Sequence, residues 1–125
     1  MKIRILNNSV RLRLTQTEVR SLQGKGKVEA QINFGAGPAH TLVYAIKKAD
    51  VGEISATFNA NRIEVVLPVR EADAWAASSE VALEKEQLAG NGNTLRILVE
   101  KDFKCLTKRK GEDESDHFPN PAESC

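Results

Sequence analysis

The chain has few of the residues that mark particular classes of protein. It holds two cysteines, one tryptophan and one tyrosine in 125 residues, and its formal net charge is only +1. Two cysteines are too few for a disulfide framework, which fits a reducing compartment. A balanced charge gives no overall attraction to nucleic acid, which argues against nucleic acid as a partner.

Long apolar runs are also missing. No stretch is long enough to cross a bilayer, and the opening MKIRILNNSV alternates charged and aliphatic residues, in contrast to a secretory signal. The sequence therefore predicts a soluble, cytoplasmic protein with no membrane partner.

Catalytic motifs are absent as well. There is no Gly-x-Ser-x-Gly elbow, and the glycine loop at 35–38 lacks the Lys-Ser/Thr ending of a phosphate loop. The histidines, His40 and His117, lie in no nucleophile context. A Cys105–His117 nucleophile and base pair stays open, although nothing nearby supplies an oxyanion donor. The sequence leaves enzymatic activity undecided and favours a non-catalytic role.

What the chain does have is a hairpin, helix and strand pattern at residues 54–83. With Ala60-Asn61 as a two-residue turn, Phe58 faces Ile63 on an apolar side of the ribbon. Pro68 ends the pairing and suits a helix start. The helix that follows has its apolar residues at helical spacing: Ala72, Trp75 and Ala76.

A shift of 53 residues toward the N-terminus places this pattern on a similar one. Phe58 falls on Ile5, and the proline falls on Thr15, which with Glu18 has the spacing of a capping box. We therefore predict an α+β fold of two pseudo-repeated strand-strand-helix-strand-strand units, 1–48 and 53–100, that share one core as a small, partly closed barrel. A chance match of two ordinary α+β halves is the alternative. The single domain covers 1–106, and a charged C-terminal tail, 107–125, packs on it or is clipped to it.

The first hairpin carries four cations on one side. The Asn7-Asn8 turn places Lys2 opposite Arg13 and Arg4 opposite Arg11, and opposed like charges are mildly destabilising. Two explanations stay open. An anionic partner binds at these four residues, or carboxylates on neighbouring strands neutralise them, with Glu29, Glu64 and Glu100 as candidates.

The tail carries a possible set of metal ligands. Thiolate and imidazole are good zinc donors, so Cys105, His117 and Cys125 are the candidate residues. Their spacing lacks the close cysteine pair of most zinc sites, and two reduced thiols or a Cys105–Cys125 disulfide stay open. We expect no cofactor, with zinc as the alternative.

Four segments of the chain carry a resemblance: the opening MKIRILNNSVRLRLTQTEV, the middle EISATF, and VEKDFKCL and EDESDHFPNP before a near-terminal cysteine. Together they resemble a family of small uncharacterised bacterial proteins, a domain of unknown function. The resemblance covers nearly the whole chain and implies a free-standing bacterial cytoplasmic protein, with no activity or site attached. Because catalytic motifs are absent, we predict a binding or interaction module without catalytic activity. The sequence leaves its partner open between another protein and a second copy of the chain, and an unpaired edge at Leu95–Val99 would suit a homodimer. A metal-binding or thiol-based protein is the alternative.

Overall fold

The computed structural model describes residues 1–103. No helix in this range is long and apolar enough to span a membrane. The helices are α1 (Gln16–Lys25) and α2 (Val69–Ala77), and a single 3₁₀ turn covers Pro38–His40. The strands are β1 (Lys2–Leu6), β2 (Ser9–Leu14), β3 (Lys27–Asn33), β4 (Thr41–Ala49), β5 (Ser55–Asn59), β6 (Arg62–Pro68), β7 (Ala82–Leu88) and β8 (Thr94–Lys101).

Local sequence signals position these elements. Thr15 and Glu18 form the predicted capping box, in which the Glu18 carboxylate accepts a hydrogen bond from the Thr15 amide at 2.9 Å. Gly26 ends α1 in the left-handed conformation, at a φ of 80°. Ala60 and Asn61 both have positive φ, as a two-residue hairpin turn requires. The predicted registers of β1 with β2 and of β5 with β6 are confirmed.

The strands pair in two four-stranded sheets. Sheet A has the order β1-β2-β8-β7, and sheet B has the order β3-β4-β6-β5. The central pair of each sheet is parallel, β2 with β8 and β4 with β6, and the outer pairs are antiparallel. Each sheet therefore combines strands that lie far apart in the sequence.

The predicted fold class is wrong. Strands hold 52% of the described residues, so the protein is mostly β, with two short helices. Residues 1–103 form a two-sheet, sandwich-like fold and no closed barrel, and it is not the predicted repeat of strand-strand-helix-strand-strand units over 1–48 and 53–100. Alternation of apolar and polar residues identifies strands but carries no information on distant partners. Each sheet takes two strands from each segment, so neither segment builds a sheet of its own.

The core lies between the sheets and beneath the helices. Its largest fully buried side chain is Trp75, which belongs to one cluster with residues of both sheets. Phe58, predicted on the apolar side of its hairpin, is 64% exposed, and Ile5, which the 53-residue shift places at the same position of the first hairpin, is 62% exposed. Both lie next to a hairpin turn. The remaining fully buried large side chains are Leu12, Leu14, Leu22, Ile46, Val65, Leu67, Ile97 and Val99.

Side chains connect the edges of the two sheets. The Gln87 amide donates to the Ala56 carbonyl and accepts from the Ala56 amide, both at 2.9 Å, and Lys85 pairs with Glu53 at 2.9 Å. These contacts hold β5 beside β7. The predicted dimer seam at Leu95–Val99 is not an edge, because β8 lies between β2 and β7.

Candidate functional site

A groove of about 370 Å³ lies where both helices meet the end of sheet A. Its volume falls within the range of small-molecule sites. We call it the helix-end groove. It is lined by Leu14, Gln16, Val19, Arg20, Gln23, Ala76, Ser78, Ser79, Lys101, Asp102 and Phe103.

The end of β8 forms one wall of the helix-end groove. The Asp102 amide donates to the Leu14 carbonyl at 2.8 Å, which fixes the chain beside β2. The Lys101 ammonium donates to the Ser78 carbonyl at 2.5 Å and lies 5.4 Å from the centre of the Trp75 ring. A cation over an indole face is favourable. The ammonium of Lys101 is therefore held at the groove.

The charges around the groove are mainly positive. Arg20 contributes a guanidinium from α1, one nitrogen of which donates to the Thr17 hydroxyl at 3.2 Å. The carboxylate that lines the groove, Asp102, forms an ion pair with Lys2 at 2.9 Å. Two cations and one carboxylate that already has a cationic partner make the groove attractive to an anion.

The outer side of sheet A brings together the four predicted anion-site residues. We call Lys2, Arg4, Arg11 and Arg13 the basic face. Lys2 pairs across the strands with Arg13, and Arg4 with Arg11. From the neighbouring strand, Glu100 lies 2.9 Å from the Arg11 guanidinium and 3.6 Å from that of Arg13. Anion binding at this face stays a prediction.

The other two candidate carboxylates lie on sheet B, in an ion-pair network of their own. Glu29 contacts Arg62 at 2.7 Å and Lys27 at 3.4 Å, and Glu64 contacts Arg62 at 3.0 Å and Lys47 at 3.1 Å. Hydrogen bonds from Arg62 lower the pKa of Glu29, and hydrogen bonds from Lys47 and then Arg62 lower the pKa of Glu64. Only Glu100 of the three predicted carboxylates reaches the basic face.

This network should make folding depend on pH in the acid range. The pKa values of Glu29 and Glu64 are lower in the folded chain than in the unfolded chain. The stabilisation that these two carboxylates contribute is therefore fully present above the ordinary glutamate pKa of about 4.3, and it is lost as pH drops through the lower, folded-state pKa values. We expect the variant Glu29→Gln/Glu64→Gln to show a flatter loss of melting temperature between about pH 5 and pH 3. Glu71→Gln, which removes an exposed carboxylate from α2, is the matched control. Equal slopes in all three proteins would contradict the prediction.

Comparison with known proteins gives a family and no activity. A family described as a family of unknown function, DUF7009, matches residues 1–122. The chain belongs to this family. The predicted resemblance to a domain of unknown function is thereby confirmed. No curated protein and no solved structure matches the chain.

The metal prediction for this DUF7009 protein concerns residues outside the described range. Cys105, His117 and Cys125 all follow residue 103, and zinc binding by them stays a prediction. Within residues 1–103, no cluster of three or more His, Cys, Asp or Glu side chains could hold a metal ion. His40, the histidine in that range, belongs to the 3₁₀ turn before β4.

Sequence reasoning found the basic face of the DUF7009 chain and missed the helix-end groove. The basic face comes from two adjacent strands, so the register of one hairpin is enough to predict it. The groove takes Leu14, Arg20, Ser78 and Lys101 from separate elements. No short motif links these positions. The capping box before α1 and the proline before α2 predict where the two helices begin. They do not predict which strands lie beside the helices.

Proposed function

We propose that this DUF7009 protein is a non-catalytic binding module whose helix-end groove holds a small organic anion with an apolar body. The single observation that carries the proposal is the composition of the groove. An apolar floor and two cations share one cavity, and the carboxylate in its wall is paired with Lys2.

The apolar part of the ligand contacts the floor of the groove. Leu14 is fully buried and Val19 nearly so, which leaves little of their surface to cover, so the apolar surface that a ligand covers is mainly that of Phe103, which is 56% exposed. Covering such apolar surface contributes about 25 cal/mol for each Å² removed from water. The floor therefore favours a short aliphatic chain or a single aromatic ring.

The anionic part of the ligand contacts Lys101 and Arg20. Lys101 has three donor hydrogens, and its bond to the Ser78 carbonyl uses one of them. Arg20 presents a planar guanidinium that suits a carboxylate or phosphate. Ser79 also lines the groove, and a serine hydroxyl is a further donor.

The described part of the groove favours binding over catalysis. Among residues 1–103, no histidine or cysteine lines the cavity. The Ser78 hydroxyl donates to the Trp75 carbonyl at 3.1 Å, which orients it toward the helix end and away from a role as nucleophile.

Calorimetric titration with 4-phenylbutyrate and its neutral analogue 4-phenylbutanol tests the proposal. We expect the carboxylate to bind more tightly than the alcohol, and Lys101→Gln to weaken carboxylate binding by about 10- to 100-fold, since a hydrogen bond to a charged group contributes about 1.5–3 kcal/mol. Binding of the alcohol should change little.

The matched control is Lys27→Gln, which removes a lysine from the outer side of sheet B. Arg20→Gln gives a second test, because Arg20 is an exposed residue of α1 and its loss should leave the fold intact. The proposal fails if the carboxylate does not bind, if acid and alcohol bind equally, or if neither groove variant weakens binding.

A further inference from the structure

We infer that two copies of this chain form a dimer by pairing their β3 strands edge to edge, antiparallel about Ile32. In this pairing, Gln31 of one copy lies opposite Asn33 of the other, and Ala30 lies opposite Phe34. The inference is independent of the ligand proposed for the helix-end groove, because none of the described groove residues belongs to β3.

The outer side of β3 has no strand beside it in residues 1–103, because β3 is the first strand of sheet B and pairs with β4 alone. The Phe34 amide donates to the His40 carbonyl at 2.8 Å, which continues the pairing with β4 just past the end of the strand. Hydrogen-bonded residues alternate along an antiparallel pair, so the main-chain groups of Gln31 and Asn33 point away from β4. A second strand can bind these groups without disturbing sheet B.

The other edges of the two described sheets are less suited to a second strand. β5 and β7 lie beside each other and are joined by the side-chain hydrogen bonds described above. β1 carries Lys2 and Arg4, and charged side chains on an edge strand discourage pairing with another chain. In β3, the charged residues are Lys27 and Glu29, both in the first half of the strand. The second half of β3 is therefore the edge most open to pairing.

The charge pattern favours a second copy of the chain as the occupant. Charged residues make up 28% of the sequence, yet none lies between Ala30 and Ile46. A two-fold axis places the same surface of both copies together, so a charged edge would face like charges, which is destabilising. The segment Ala30–Phe34 avoids this repulsion because it has no charged side chain.

The apolar side chains at this edge complement their own copies. Ile32 is 45% exposed and Phe34 is 75% exposed. In the proposed register, the two Ile32 residues form a close pair with Cα atoms about 4.5 Å apart, and each Phe34 covers the small Ala30 of the other copy. A buried phenylalanine covers about 150–250 Å². Five paired residues span only about 17 Å, so the interface is small and the dimer is reversible.

Sedimentation equilibrium of the full-length chain tests the dimer. Over a concentration series from about 1 μM to about 1 mM, the mass should rise from 13.7 kDa toward twice that value. Phe34→Gln should weaken the dimer at least about tenfold, because it removes an apolar side chain from both sides of the interface. Phe58→Gln is the matched control. Phe58 is 64% exposed and lies on β5, at the opposite edge of the same sheet, so its loss should leave the dimer unchanged.

Disulfide cross-linking tests the register. In a Cys105→Ser/Cys125→Ser background, Ile32→Cys should form a linked dimer under mild oxidation, because a Cα separation of about 4.5 Å suits a disulfide. Phe58→Cys in the same background should link at least about tenfold more slowly, because its copies lie apart in the dimer.

Three results would each overturn the proposal. The first is a mass that stays at 13.7 kDa throughout the series, as expected if another part of the chain or a different protein covers β3. The second is equal weakening of the dimer by Phe34→Gln and Phe58→Gln, and the third is equal rates of cross-linking by the two cysteine variants.

Discussion

Replacing Trp75 by alanine should lower the free energy of unfolding by about 3–5 kcal/mol. The side chain has no exposed surface and packs in the core cluster with Leu22 and Leu67. Its indole nitrogen also donates to the Val81 carbonyl at 3.3 Å, which ties α2 to the segment before β7. Urea denaturation followed by far-ultraviolet circular dichroism measures the loss.

Phe58→Ala is the matched control for this experiment. It also removes an aromatic side chain, but Phe58 is 64% exposed beside a hairpin turn, so its cost should stay within about 0.5 kcal/mol. A loss for Trp75→Ala as small as that for Phe58→Ala would contradict the packing of Trp75 in the core cluster.

The local parts of the fold could be predicted from the sequence because their causes are local. A two-residue turn sets the partner of every residue in a hairpin, so Arg4 opposite Arg11 and Ala56 opposite Val65 follow from the turns alone. In the same way, the capping box of α1 depends on two side chains three residues apart.

The assembly of the sheets could not be predicted, because it depends on contacts between distant segments. Val10 lies beside Ile97 and Ile46 beside Val65 in the two parallel pairs. Every one of these residues is an aliphatic residue in an alternating or a mostly apolar run, and many other pairings would bury them equally well. The exposure of Ile5 has the same origin, because alternation gives the side of the sheet but not how far the opposite sheet extends.

The basic face could be predicted from the sequence and the helix-end groove could not, for the same reason. The basic face needs only the register of β1 with β2, which the sequence predicted correctly. The groove needs β8 beside β2, since only that pairing brings Lys101 and Asp102 to Leu14 and α1. The charged and apolar lining of the groove therefore depends on the parallel pairing of β2 with β8, which the sequence does not predict.

Gln87→Ala should lower the free energy of unfolding by about 2 kcal/mol, because two hydrogen bonds of about 1 kcal/mol each are lost. Gln87 bonds to both main-chain polar groups of Ala56 at 2.9 Å. No ladder joins β5 to β7 within residues 1–103, so this side chain takes the place of a strand partner. Its loss leaves a partly buried amide and carbonyl without that partner, and exchange of the Ala56 amide with solvent should accelerate.

Gln31→Ala provides the comparison, since it removes the same side chain from the edge strand of sheet B. Gln31 is exposed and its side chain reaches only Asn33, at 3.5 Å, so we expect a change within about 0.5 kcal/mol. If the two variants lose equal stability, or if the Ala56 amide exchanges at an unchanged rate without Gln87, then the edges of the two sheets are held together by apolar packing. In that case the hydrogen bonds of Gln87 to Ala56 form because the core places the two residues together, and they add little to stability.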